Sequence, residues 1–523
     1  MTSARAVRAA RYGAAAGSGL LLAGARPPVD AGPLALVALV PLFVAWRGGG
    51  VRTKAALAFV AGGAYHAVLV SWAWYFGAIA IVPLVAALAA YWAATGALVG
   101  FLATREIRSP WLVAAAWVLA EALVARFPLG GLSWGEVGYA LHDVALARDV
   151  ASVGGVPLVS FLVVAANALL ADAVTRPPAR ALVRALGGLL LVAVTASAAA
   201  IVRTDTEPTR ALRVAVLQGN DKNRDLTREE LRARYLPNSH FGLLDEVRDP
   251  VDLVVFPESS MDEDPRTDRA LGPRLERTAR EHAAWVLANA TADHPDEPDE
   301  HVLNLNVLYD PDGKVAGTYA KRHLVPFGEY VPLGSILREL LPVFDEEIPR
   351  DFVAGREAEL FDVADVALAT VVCFESAFGY EVRPLVRDGA EVIVVSTNNR
   401  SYRRSANSAQ HVAIGQMRAA ETGRPVVHAA ISGISAFIDA DGEVVAQTRL
   451  FDRTVLQRTV VAHRGETIYV RFGDWIVWIS ILVVAGHAAT AVRRRGRESV
   501  DSAGGDELRA TTAPELSPTG DRA

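Results

Sequence analysis

Two hydropathy patterns divide the chain. Up to about residue 203, apolar residues run in long stretches at roughly 10–25, 33–46, 55–75, 79–103, 110–126, 155–175 and 183–203. An eighth lies near 474–492. A membrane helix needs about 20 apolar residues, so these stretches predict about eight spans, of which the first two are short. Those two read equally as one re-entrant hairpin broken at Pro27 and Pro28. Between 212 and 463 the pattern changes. Short Val/Ile-rich runs, among them Leu212–Leu217, Val251–Phe256, Ala367–Val372 and Glu391–Val395, alternate with polar, helix-compatible segments. Continuous apolar runs of that length predict strands buried on both faces, hence an α/β domain. Asp310-Pro-Asp-Gly313 and Asp439-Ala-Asp-Gly442 predict hairpin turns.

The expected organisation is an N-terminal transmembrane bundle over 1–205, an α/β domain over 212–463, a closing transmembrane helix over 474–492 and a disordered tail over 498–523. The tail is rich in Ser, Thr, Pro, Gly and acids, too polar to bury a core. Arg5, Arg8 and Arg11 before an Ala/Gly/Leu run imitate a signal peptide, but the spans that follow argue against simple secretion.

Basic residues orient the bundle. With the N-terminus cytoplasmic, the inside loops hold Arg47, Arg52 and Lys54, then Arg105 and Arg108, then Arg176, Arg180 and Arg184. Arg493, Arg494, Arg495 and Arg497 follow the last span, whereas the outside loops hold only Arg26, Arg126 and Arg148. The positive-inside rule therefore places 212–463 outside the cytoplasm, with Trp72, Trp74 and Tyr75 at the outer interface. His66 lies inside a span and reads as a neutral histidine hydrogen-bonded between helices. Composition adds little to this picture. A hydrophobic fraction of 52% favours a membrane protein, and a net charge of −6 with no long basic face in the middle of the chain argues against nucleic acid as a partner. One cysteine, Cys373, excludes an intramolecular disulfide.

Three polar residues follow strand-like runs: Glu258, Lys321 and Cys373. Residues at strand ends of an α/β sheet commonly form its site. A thiol needs help to ionise at neutral pH; Glu258 could accept its proton, and Lys321 could stabilise thiolate and oxyanion without metal or organic cofactor. From the residues alone, a buried apolar cysteine, a helix-capping Glu258 and a solvated Lys321 read as well.

The motifs decide between these readings. Phe256-Pro-Glu258, the block Lys321-Arg-His-Leu-Val-Pro-Phe-Gly-Glu329-Tyr-Val-Pro332 and Cys373-Phe-Glu375 resemble the Glu-Lys-Cys pattern of the nitrilase superfamily. With the membrane bundle and the closing helix, the 321–332 block resembles the apolipoprotein N-acyltransferase family. Val216-Leu-Gln-Gly-Asn220, Met417-Arg-Ala-Ala-Glu421-Thr-Gly-Arg424-Pro425 and Tyr469-Val-Arg-Phe-Gly-Asp-Trp475 extend the resemblance over nearly the whole chain.

The resemblance implies an αββα sandwich beside the bundle, in a bacterial cytoplasmic membrane, with the catalytic domain on the extracytoplasmic face. It implies Glu258 as base, Lys321 as transition-state stabiliser and Cys373 as nucleophile. Glu329 and Glu375 would support the site, and the Phe374 N–H would serve the oxyanion. It also implies acyl transfer from a membrane phospholipid to the amine of a diacylglyceryl-apolipoprotein, with no metal and no cofactor. Water as acceptor, in a membrane-tethered amidohydrolase, is the alternative, as is a scaffold or transporter with an inactive domain; the intact triad speaks against the latter.

Where many family members carry Ser-Asn-Asp-x-Trp-Phe, this chain has Thr397-Asn-Asn399-Arg-Ser-Tyr402, without the tryptophan. The segment after Asn220 likewise lacks the usual Pro and Trp. Both departures bear on donor preference rather than on the triad. The segment Gly130-Gly-Leu-Ser-Trp134-Gly-Glu136-Val-Gly-Tyr139 resembles the family's Gly-rich stretch near the portal, making Trp134 and Tyr139 candidates for substrate binding; an ordinary loop anchored by Trp134 fits equally.

Overall fold

A computed structural model describes residues 2–102, 109–175, 178–202, 206–222, 227, 230, 234–248 and 250–510. Arg105, Arg108 and Arg176, which contribute to the expected orientation, lie outside these residues, as does the tail from 511 to 523.

The N-terminal half is helical. Four helices among the described residues are long and apolar enough to cross a membrane: Ala78–Leu102, Ala145–Val174, Leu182–Val202 and Trp475–Arg493. The expected count of eight is not reached on length and composition. Thr2–Gly24 carries Arg5, Arg8 and Arg11, and Val51–Leu69 carries Arg52 and Lys54 in its first turn. Gly32–Ala45 and Pro110–Val124 are apolar but shorter than the roughly 20 residues a span needs. His66 bonds within its own helix rather than between helices, Nδ1–H donating to the Gly62 carbonyl (2.8 Å). The closing helix continues to Ala510, into the segment expected to be disordered, which contains no proline up to that point to stop it although Gly504 and Gly505 weaken it.

The long Ala145–Thr175 helix is broken inside. Gly154 and Gly155 leave helical geometry, and Gly155 has φ 69°. A Cβ at Gly155 would stand 2.6 Å from the Tyr469 ring, so glycine is required here by both conformation and space.

Residues 207–464 form two stacked sheets. The first contains β1 (Glu207–Gln218), β2 (Leu253–Val255), β3 (Trp285–Asp293), β4 (His301–Tyr309), β5 (Val315–Ala320), β6 (Asp351–Phe352) and β13 (Thr454–Arg464). Its order is β13-β1-β2-β3-β4-β5, with β6 beside β4. The second runs β12-β11-β10-β9-β8-β7, from β7 (Leu360–Val363), β8 (Val366–Val372), β9 (Val392–Thr397), β10 (Val426–Ala430), β11 (Ala436–Ile438) and β12 (Val444–Gln447). Central pairs are parallel: β1 with β2, β2 with β3, β8 with β9 and β9 with β10. Both predicted Asp-x-Asp-Gly turns close antiparallel hairpins, at Gly313 and Gly442, each with positive φ.

Alternation along the strands sorts the core into layers. Val214, Val216, Leu253, Val255, Leu368, Val372, Val392 and Val394 pack between the sheets. Ala215, Leu217, Val254 and Val286 face Leu271, Leu275 and Ala279 of the Leu271–His282 helix. Val371, Ile393 and Val395 face Val382, Leu385 and Val386 of Gly379–Arg387, with Val412 and Ala419 of Asn407–Thr422. This is the α/β, helix–sheet–sheet–helix arrangement.

The Asn407–Thr422 helix also joins the halves. Its Ile414 and Met417 belong to the same apolar cluster as Trp117, Val137 and Val159 of the bundle, and so do Phe374 and Phe378. Its polar side chains are buried on the same seam. Gln410 accepts from the Trp134 and Trp72 indoles (2.8 and 3.2 Å) and donates to the Leu69 carbonyl (3.0 Å). Glu421 accepts from the Val156 N–H (2.6 Å), just after the Gly154–Gly155 break, and pairs with Arg418 (2.8 Å). It caps, from another domain, the helix segment that the break exposes.

Candidate active site

The three strand-end residues converge from both sheets. Glu258 follows β2, Lys321 follows β5, and Cys373 follows β8, where the chain turns sharply into a 3₁₀ turn, Cys373–Ala377. Cys373 has φ 52°, in the left-handed region that a side chain adopts only when its surroundings impose it.

Those surroundings are specific. The Cys373 carbonyl accepts from Ser376 Oγ (2.9 Å) and from His411 Nε2 (3.1 Å). Burial pushes the His411 imidazole down to about 4, so the ring is neutral. With Nε2 donating to the Cys373 carbonyl, Nδ1 is left to accept from Thr397 and Asn399 (3.3 Å each). Glu375 fixes the other side. Its carboxylate accepts from the Val372, Arg322 and His323 N–H groups (2.6, 2.6 and 3.0 Å) and from the Tyr319 hydroxyl (2.9 Å). One carboxylate therefore ties the cysteine turn to the segment carrying Lys321.

Lys321 is buried between two carboxylates. Its Nζ donates to Glu329 Oε1 (2.6 Å) and lies 3.6 Å from Glu258 Oε1. Burial alone would lower its pKa; Glu329 and Glu258 reverse that and hold the ammonium charged, above its usual range. Glu258 accepts from Asn304 Nδ2 (2.8 Å), while its Oε2 makes no hydrogen bond among the described residues. Burial raises the Glu258 carboxyl, against the lowering by Lys321. Cys373 is half-buried, and desolvation, then the Glu258 charge, push its thiol up to about 12. Lys321, Thr397 and the Asn398 N–H pull the other way. The resting site thus holds a neutral thiol beside a carboxylate that can take its proton, with a fixed cation behind both.

An asparagine ladder supports the carboxylate. Asn289 Nδ2 donates to Asn304 Oδ1 (2.7 Å) and Asn306 Oδ1 (2.8 Å), and Asn306 Nδ2 reaches Thr370 across to the second sheet (2.6 Å). Sequence reasoning missed Asn289, Asn304, Asn306 and His411, and read the segment beginning at Thr397 as bearing on donor preference rather than on the triad, whereas Thr397 contacts Cys373. Asn304 and Asn306 did leave a signal: alternating polar residues in an otherwise apolar strand.

Phe374 places its ring against Trp134 and Phe378 (centroids 6.5 and 4.8 Å). Trp134 and Tyr139 are both buried at the seam; the Tyr139 hydroxyl donates to the Ala377 carbonyl (3.2 Å) and accepts from Arg418 (3.2 Å). Tyr139 therefore braces the turn that carries Cys373. Among the described residues one group, Asp30, His142 and Asp143, has the donor types for a cation. His142 is engaged by Gln416 (2.8 Å) and Asp30 (3.0 Å), and none of the three belongs to the triad.

Residues 18–169 match the family described as apolipoprotein N-acyltransferase N-terminal domain, and 213–469 match carbon-nitrogen hydrolase. A protein of Geobacter metallireducens named apolipoprotein N-acyltransferase is 32% identical over 91% of this chain and 94% of its own. The chain belongs to the apolipoprotein N-acyltransferase family. Relatives of that name from Haemophilus influenzae (29% identical, 91% of this chain and 94% of theirs) and Vibrio cholerae (28%, 94% and 100%) cover it similarly. As a member of the apolipoprotein N-acyltransferase family the chain is an N-acyltransferase, and its second half has the nitrilase-like carbon-nitrogen hydrolase fold.

Proposed function

We propose that this enzyme moves an acyl chain from a membrane phospholipid to the N-terminal amine of a diacylglyceryl-cysteine in an apolipoprotein, through a thioester on Cys373. The observation that carries this reading is the Lys321 ammonium held between Glu258 and Glu329 behind the only thiol, in a chain whose relatives bear the acyltransferase name.

Glu258 takes the thiol proton as Sγ attacks the ester carbonyl carbon. The Phe374 N–H, second in the Cys373–Ala377 turn and so without an intrahelical acceptor, and Lys321 stabilise the oxyanion. The C–O bond breaks, and Glu258 returns the proton to the departing lysophospholipid oxygen. In the second half the substrate amine attacks the thioester, Glu258 accepts its proton, and the thiol re-forms as the amide leaves. Lys321 stays protonated throughout because two carboxylates oppose its deprotonation.

The same reading gives the bundle eight spans and puts the catalytic domain on the extracytoplasmic face of a bacterial inner membrane. Both substrates keep their acyl chains in the bilayer, at about 0.8 kcal/mol per buried methylene, so a site at the membrane surface avoids a large extraction cost. An alkaline phosphatase fusion near residue 300 should be active and one after Arg497 inactive; the reverse would overturn the orientation. For the chemistry, purified enzyme with phospholipid should give an acyl adduct on Cys373 by intact mass. Lysophospholipid should continue to accumulate only when lipoprotein acceptor is present. Sustained release without acceptor would make the enzyme a hydrolase.

A further inference from the structure

The chain's departure from the family pattern, the segment after β9, runs from the reacting thiol to the membrane face. Thr397 and the Asn398 N–H touch Cys373. Four residues later Tyr402 packs against Trp72 (4.9 Å) and Phe76 (5.8 Å) of the Ser71–Phe76 turn. That turn joins the Val51–Leu69 and Ala78–Leu102 helices and exposes Trp74, Tyr75 and Phe76, with Trp74 63% exposed. Exposed aromatic residues at the end of a membrane helix mark the headgroup level of the bilayer.

Two arginines follow. Arg403 lies over the Tyr75 ring (5.5 Å) and Arg404 over Phe451 (5.2 Å); both are exposed. Among the described residues neither guanidinium has a carboxylate partner, whereas Arg400 in the same segment is neutralised by Asp221. Two adjacent unneutralised cations, each over an aromatic ring and one of those rings, Tyr75, in the exposed helix-end turn, repel one another and attract an anion. From Asn398 to Arg403 the chain can span at most about 18 Å, so a lipid whose ester carbonyl sits at Cys373 has its phosphate within reach of a long arginine side chain. Guanidinium planes suit phosphate oxygens.

We propose that Arg403 and Arg404 bind the phosphate-bearing headgroup of the acyl donor and select an anionic glycerophospholipid over a zwitterionic one. The proposal rests on the donor being a phospholipid. A zwitterionic headgroup brings its own ammonium toward the two guanidiniums and cancels the attraction; an anionic headgroup does not.

The test uses the full-length enzyme in mixed micelles with phosphatidylglycerol or phosphatidylethanolamine of identical acyl chains, following Cys373 adduct formation by intact mass. The Arg403→Gln/Arg404→Gln enzyme should show a KM for phosphatidylglycerol raised on the order of tenfold, since each basic residue near an anionic surface contributes modestly. Its KM for phosphatidylethanolamine should rise by less, so that the ratio of kcat/KM for the two donors falls severalfold toward one, while the rate at saturating donor stays closer to the wild-type value because the triad is untouched. Arg403→Lys/Arg404→Lys should keep most of the preference, which a folding defect would not. An unchanged donor ratio in the Gln variant overturns the inference while leaving the thioester mechanism standing.

Native mass spectrometry of Cys373→Ala protein, which cannot turn over, separates the two readings from the other side. Retention of phosphatidylglycerol over phosphatidylethanolamine, lost when both arginines become Gln, supports the headgroup site even if no acyl adduct is found on the wild-type enzyme. Equal retention of the two lipids overturns it.

Discussion

Two buried polar clusters sit on either side of the Cys373 turn, and they are built to opposite ends. At the seam with the bundle, Arg418 and Glu421 meet each other, and each also meets a fixed partner: Tyr139 for Arg418, the Val156 N–H for Glu421. These charges answer a need set by the fold, a helix broken at Gly154 and Gly155. In the candidate active site one cation faces two carboxylates, Glu258 keeps an oxygen without a hydrogen bond, and the thiol is pushed up to about 12. Each cluster keeps a buried carboxylate oxygen without a hydrogen bond, Glu421 Oε2 at the seam and Glu258 Oε2 in the site, but only Glu258 stands beside a thiol whose proton it can take. Similar burial with different neighbours separates a joint from a candidate reaction centre.

Substitutions can break this contrast at several strengths. Cys373→Ala should abolish both adduct and transfer while leaving the thermal transition within a few degrees, about the effect of a mild substitution. Any residual transfer by Cys373→Ala protein would show that another group carries the acyl chain.

Lys321→Met removes the cation and leaves Glu258 facing Glu329. Adduct formation should slow by about 10²–10³-fold, the usual cost of losing one oxyanion stabiliser. Stopped-flow quench with mass detection reads it, and a loss under tenfold would reduce Lys321 to a structural ion.

At the seam, Arg418→Met strands Glu421, and a broken buried pair typically costs about 3–5 kcal/mol. The apparent melting temperature in detergent should fall accordingly. Arg418→Met/Glu421→Gln should recover part of it, because Gln keeps an oxygen for the Val156 N–H. If the double variant is no better than the single, the pair is not coupled as its geometry indicates.

The smallest effect concerns pH. Glu258 must be ionised to accept the thiol proton, and burial holds its carboxyl above the usual range. Adduct formation should therefore fall as pH drops through that raised value and level off above it. Asn304 donates to the ionised form, so Asn304→Leu should move this acidic limb upward, on the order of one pH unit. A limb that stays in place would mean that Glu258 is not the titrating base.

The parts of this enzyme legible in its sequence are those that act locally. Glu258, Lys321 and Cys373 each follow a strand-like run, but that position left structural readings open and it was the motifs around them that singled them out; the Asp-x-Asp-Gly turns are legible because Gly313 and Gly442 need positive φ. Span counting was weaker: Val51–Leu69 and Thr2–Gly24 are helices, but their arginines and Lys54 dilute the apolar signal. The Asn289–Asn304–Asn306 ladder was barely visible, since an asparagine in a strand has no meaning until the register brings its partners opposite.

By itself the sequence determined where the chain is apolar, where it turns to strand, and which polar residues follow those strands. These follow from length, period and side-chain chemistry, which act within a few residues. Only the tertiary structure decided that His411 holds the Cys373 carbonyl, that Glu375 clamps the Lys321 segment to the cysteine turn, and that Glu421 caps a helix of the other domain. Gln410 meets Trp72 and Trp134 across separations of 338 and 276 residues. No pattern along the chain encodes such a meeting, because it arises when two independently patterned layers bury their faces against each other and each buried polar atom must then find a partner there.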